Sequence, residues 1–298
     1  MESLPIYALY ILAVLSTFAG VIKNCLTNHA AKNTVTSRKS LWQFNAVVCL
    51  VAFLVFLISA LGNEVSGFTL ALGLVFGIVT VLQAVFNMVA FNRGPLHITT
   101  LIITASMIVP AMYDAIITRQ MPSAAKLIAI AVLFIFIVLS LGKKDETTAR
   151  RGWLFFCGAA FVMSASIGIL QKIHQGSAYK AETAPYLACA FLGSTVFAFV
   201  MSLLAKKPAD SEGKPSRMPW ITVLIAAVCG VCMYINHDFN LKLSGLLPSE
   251  IFFPLVNGGL LFLNTLSALV IFKEKLTKQQ VVGLIGGGIT LVLLCILK

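Results

Sequence analysis

Long apolar runs alternate with short polar breaks along the chain. Ten runs are long enough to cross a bilayer as helix: 5–30, 41–61, 67–91, 96–118, 123–141, 153–176, 184–205, 219–241, 249–272 and 278–297. A hydrocarbon layer of ~30 Å takes about 20 apolar residues in helical form. Most of these runs are apolar on every side, but four carry a polar face. In the third, Thr80, Gln83 and Asn87 fall at i, i+3 and i+7 and share one side of the helix. The fourth has Thr99, Thr100, Thr104 and Ser106, then Pro110, Tyr113 and Asp114. Hydroxyls can bond the carbonyl one turn back, whereas a carboxylate cannot hide that way. The eighth ends in Tyr234, Asn236, His237, Asp238 and Asn240, which is either a site or a frayed helix end. In the ninth, Asn257 and Asn264 lie seven apart with Gly258 and Gly259 between them. A polar face in lipid is costly unless it meets a partner helix or a wet cavity.

The pattern repeats. Ser16-Thr17-Phe18-Ala19-Gly20-Val21-Ile22-Lys23-Asn24 returns as Ser164-Ala165-Ser166-Ile167-Gly168-Ile169-Leu170-Gln171-Lys172. On the register of the following spans, Asn87 falls opposite Asp238 and Ser106 opposite Asn257. Internal self-similarity of this kind sets the architecture. It predicts an all-α membrane protein of ten transmembrane helices in two five-span repeats, 1–142 and 153–298, joined by a charged linker at 143–152. An odd number of spans per repeat inverts the second half relative to the first, the arrangement of many alternating-access carriers.

Composition agrees: 59% of the 298 residues are hydrophobic, 11% are charged, and mean hydropathy is +0.94. The net charge of +11 does not point to nucleic acid, because the cations are scattered among loops. The loops after spans 1, 3, 5, 7 and 9, with the helix ends bordering them and Lys23 within span 1, hold sixteen of the 22 Lys and Arg. By the positive-inside rule those loops are cytoplasmic and both termini lie outside. The first span has no Lys or Arg before it and no cleavage site after it, so it reads as a retained helix. The seven Cys are dispersed, and the Cys229/Cys232 pair sits in mid-helix, where thiols pack as small hydrophobes. No second ligand pair accompanies it, so neither a metal nor a cofactor is expected.

The ten spans, the repeat and the C-terminal run Phe272-Lys273-Glu274-Lys275-Leu276-Thr277-Lys278-Gln279-Gln280-Val281-Val282-Gly283 before a glycine-rich last span resemble the drug/metabolite transporter superfamily, and within it the EamA-type permeases. The first half departs from that pattern, having Arg119 where the repeat would place the Glu. The resemblance implies a multi-pass protein of a bacterial plasma membrane. It also implies cytoplasmic termini, against the charge count.

The expected function is secondary transport of a small polar or amphipathic organic metabolite, amino acid-like or drug-like, with proton coupling as an option. No H-E-x-x-H, G-x-S-x-G or P-loop is present, so no enzyme is expected, although a membrane-embedded enzyme or a scaffold is the alternative. The residues expected to contact substrate are Gln83, Asn87, Ser106, Tyr234, Asp238, Asn257 and Asn264, with Asp238 the leading charge partner or proton carrier. Lys23, Lys172 and Asp114 are further candidate charge partners. The Lys23 stem can snorkel to the interface, or its ammonium can line a cavity. Gly283 and Gly287 form a G-x-x-x-G packing face for span 5 or for a second copy of the chain.

Overall fold

The computed structural model describes residues 5–118, 123–141, 150–205, 218–273 and 277–297. The described residues form eleven α-helices and one 3-10 turn. The first half contains α1 (Ile6–Asn33), α2 (Arg38–Ala60), α3 (Gly67–Arg93), α4 (Leu96–Thr104), a 3-10 turn at Ala105–Met107, α5 (Ile108–Thr118) and α6 (Ala124–Leu141). The second contains α7 (Trp153–Gln175), α8 (Thr183–Leu204), α9 (Trp220–Leu246), α10 (Ser249–Val270) and α11 (Lys278–Ile296). Seven segments are long and apolar enough to cross a membrane: α1, α2, α3, Leu96–Ile117, α7, α8 and α9. The chain is therefore a multi-pass helical membrane protein. Its outward surface is apolar, with Phe155 and Leu204 each 71% exposed.

Local chemistry fixes several helix starts. Ser37 and Ser40 make a reciprocal capping box at α2, and the Ser66 hydroxyl accepts from Thr69 N at α3. Thr277 and Gln280 make a second capping box at α11. That box is the physical content of the Thr and Gln in the C-terminal motif: it satisfies amides that a helix start leaves open. Residues 274–276 of the motif, Arg119 and residues 143–149 of the expected linker lie outside the described residues. The fourth span breaks into α4 and α5 at Ala105–Met107. Pro110 lacks the N–H that would bond the carbonyl of Ser106, so the break sits where that ladder bond is lost.

Contacts between chain segments place the helix ends. Where α1 and α3 finish, Asn92 donates to the Ala31 carbonyl, Arg150 N donates to Arg93 O, and the Arg93 guanidinium donates to Arg151 O. Lys32 lies 5.8 Å from the centre of the Phe272 ring, just past α10. At the opposite end, Ser66 bonds Glu182, and Ser249 at the start of α10 bonds Asp114. Among the described residues, Lys32, Arg93, Arg150, Arg151 and Lys273 thus gather at one end of the bundle.

Two cores hold the bundle, and each draws helices from both halves of the sequence. One is built on Phe44, Phe56, Phe76, Tyr186 and Phe191, with Phe56 stacked on Phe191 at 5.3 Å. It joins α2, α3, α8 and α9. The other joins α4, α6, α10 and α11 through Leu101, Leu133, Phe252 and Leu284. Glycine permits the closest crossings. A Cβ on Gly73 would lie 2.8 Å from the Tyr186 carbonyl, one on Gly77 would overlap the Ala190 backbone, and the Ser194 hydroxyl donates to Gly77 O at 2.7 Å. Similarly, a Cβ on Gly230 of α9 would lie 2.7 Å from Val48 O of α2. In lipid, close backbone approach and interhelical hydrogen bonds replace the hydrophobic effect as the force between helices. At α11, Gly286 abuts the Phe136 ring of α6, so the glycine-rich face packs on the fifth expected span.

Candidate solute site

A cavity of about 130 Å³ lies midway along the helices, lined by residues of α1, α3, α4, the 3-10 turn, α5, α7, α9 and α10. Its polar lining is mostly amide. Asn24, Gln83, Asn87, Gln171, Asn236, Asn240 and Asn257 all reach it, with hydroxyls from Thr100, Thr104, Ser106 and Ser164. Of the residues expected from sequence, Gln83, Asn87, Ser106 and Asn257 are brought together here. Lys23 lines the cavity as well, in line with the cavity reading of its ammonium.

Tyr234, Asp238 and Asn264 lie apart from the cavity lining. Tyr234 packs against Phe56, with ring centres 4.6 Å apart. Asp238 is buried and paired with Lys242 one turn on, with Nζ 2.7 Å from each carboxylate oxygen. Asn264 is fully buried in α10, and its amide has no partner among the described residues. The polar end of span 8 is continuous helix as far as Leu246, so it is not a frayed terminus.

Both glycines of the repeated motif make room for the cavity walls. Gly20 faces Leu260 and Asn236, with its hypothetical Cβ 3.0 and 3.3 Å away, and Gly168 faces Pro110 at 2.6 Å and Phe253 at 3.5 Å. Their serines tie the walls together. Ser16 donates to Asn240 Oδ1 at 2.7 Å, Asn236 donates back to Ser16 O at 3.1 Å, and Ser106 donates to Ser164 at 2.9 Å. Several lining atoms remain without a partner among the described residues, notably Asn87 Oδ1, Thr100 Oγ1 and His237 Nδ1. Buried polar atoms without partners are rare and costly, and a site that gathers several of them suits water or a polar solute. Sequence reasoning did not place Asn236, His237 and Asn240 in the site. Their i, i+1, i+4 spacing is the signal, but it is interleaved with Tyr234 and Asp238 on the adjacent face, and periodicity does not say which face meets the cavity.

One turn beyond the lining, Lys172 lies 3.4 Å from Asp114 and donates to Ser244 O at 2.9 Å. Asp114 also accepts from Ser249. This cluster braces α5, α7, α9 and α10 at the end of the bundle opposite the Arg93 contacts. Among the described residues no group of three His, Cys, Asp or Glu is placed to hold a metal.

Comparisons with known proteins bear on the fold alone. No protein-family model and no curated protein matches the chain. Twenty-seven chains of solved structures do match it. One, described only as the crystal structure of a protein, superposes with a TM-score of 0.63 at 13% identity over 95% of this chain and 97% of its own.

Proposed function

We propose that the chain is a secondary transporter of the drug/metabolite transporter type, similar to the EamA-like permeases. In this reading ten spans form two inverted five-helix repeats that move a small polar or amphipathic organic solute by alternating access. The observation that carries it is the amide-lined cavity midway along the helices, with polar atoms in its wall that lack a partner among the described residues. Polar groups at that depth are expensive and mark solute pathways.

The helix pairings support the repeat. Exchanging the first five spans for the last five turns the α1–α9 contact into α7–α3 and the α2–α9 contact into α8–α3. It turns α1–α10 into the contacts of α7 with α4 and α5, while α2–α8, α6–α11 and α4–α10 map onto themselves. A scaffold with this exchange symmetry has two nearly equivalent shapes, each opening the midplane site to one side. A bacterial plasma membrane suits such a carrier, and the glycine-rich α11 could also pair two copies.

Flux into liposomes containing the purified protein tests the reading. Uptake of at least one small metabolite down its gradient, saturable and absent from empty liposomes, is expected. No saturable uptake across amino acids, sugars, organic acids and amines would remove the carrier reading in favour of an enzyme or scaffold.

A further inference from the structure

Three lysines lie within the helices near the cavity, and they are not equivalent. Lys172 is paired with Asp114 and Lys242 with Asp238. Lys23 makes no ion pair among the described residues. Its titratable neighbours are Cys49, Cys229, Cys232 and His237, none of them a carboxylate. Among the described residues lining the cavity, Lys23 alone carries a formal charge, and no Asp or Glu joins it.

An ammonium held out of water without a counter-ion costs several kcal/mol, and that cost is relieved when an anion arrives beside it. The rest of the wall is suited to orienting such an anion. Asn24 and Asn87 flank Lys23 both in the cavity and in the small recess behind it, and their amide groups can donate to a carboxylate. Charge balance narrows the class. One cation matches one negative charge, so a doubly charged phosphate would leave a charge unmet. A zwitterion or an amine would bring an ammonium that finds no carboxylate among the described residues of the wall. A cavity of about 130 Å³ suits a small solute.

We propose that the cavity is a binding site for a small hydroxylated monocarboxylate, with the carboxylate seated on Lys23 and the amide and hydroxyl wall taking the remaining polar groups. The assignment rests on the carrier reading for its consequence, transport, but not for the binding itself. It replaces an amino acid-like solute by an organic acid.

The probes are glycerate, its amide glyceramide, and aminopropanediol, which share a size and differ in charge. Thermal unfolding of the full chain in detergent at constant ionic strength reads binding. Glycerate is expected to raise the melting temperature, with the amide and the amine doing so far less. Lys23→Met is expected to weaken glycerate binding about ten- to a hundredfold, the loss of one charge-assisted contact. Lys23→Arg is expected to keep part of it. Equal responses to the three probes, or a Lys23→Met variant that binds glycerate like the parent, would overturn the assignment. The probe comparison on the unmodified chain decides the matter even if Lys23→Met does not fold. Saturable liposome flux of the amide or amine without glycerate would also sink the assignment while leaving the carrier intact. Glycerate binding without flux of any solute would uphold the site and remove the carrier.

Discussion

At the scale of single residues, position in the bilayer decides what a charge can do. Glu182 lies outside the spans, just before α8, and its carboxylate accepts from Ser66 N at 3.0 Å and from the Ser66 hydroxyl at 2.9 Å. The Thr69 hydroxyl, then the Ser66 groups, hold its carboxyl below the ordinary glutamate value of 4.5. A depressed folded value means the contact stabilises fully above the unfolded value and is lost as pH falls through the folded one. Glu182→Gln should therefore remove a fall in melting temperature between about pH 5 and the acid limit of folding, while leaving the neutral range nearly parallel. Identical acid profiles for parent and variant would contradict this. Most polar residues of the cavity were visible in the sequence, but periodicity specifies a helix face and not the neighbour it meets. Asp238 illustrates the difference: its partner Lys242 stood four residues away in plain view, yet the pair removes it from the cavity wall. Lys23 is the converse case, since only the packed neighbours reveal that no acid accompanies it among the described residues.

At the scale of helices, small residues decide which surfaces meet. The α3–α8 crossing is so close at Gly77 that any side chain collides with the Ala190 backbone, which cannot swing aside as a flexible side chain would. Gly77→Val should thus cost about 1–3 kcal/mol, in the range of over-packing in tight cores. The same change at Gly158, where nothing lies within 4 Å of the added carbon, should be close to neutral. Denaturant unfolding of both variants in micelles compares them, and similar losses would refute the crossing as drawn. Helix existence and type were legible because twenty-residue apolar runs leave little choice in lipid. The partners of each helix were not legible. The glycines marked close approach, but nothing in the order of residues says that α3 meets α8 or that α11 meets α6.

At the scale of the whole molecule, the two ends of the bundle differ in charge. The Lys32, Arg93, Arg150, Arg151 and Lys273 end should face the cytoplasm if loop cations set orientation. Cysteines placed at positions 144 and 207, outside the described residues but in the same set of loops, should then resist an impermeant reagent applied to intact cells. Ready labelling at both would reverse the orientation. The ends also differ in how they are tied. A Lys172–Asp114–Ser249 brace spans one of them, and the repeat offers Asn24, an uncharged amide, at the position matching Lys172. In the proposed carrier, two symmetry-related shapes of which one is held by this ion pair are not isoenergetic. Each ~1.4 kcal/mol of difference tilts their populations tenfold. In the carrier proposed above, the empty protein would then rest mostly on one side of its cycle, a home position set before any gradient is applied.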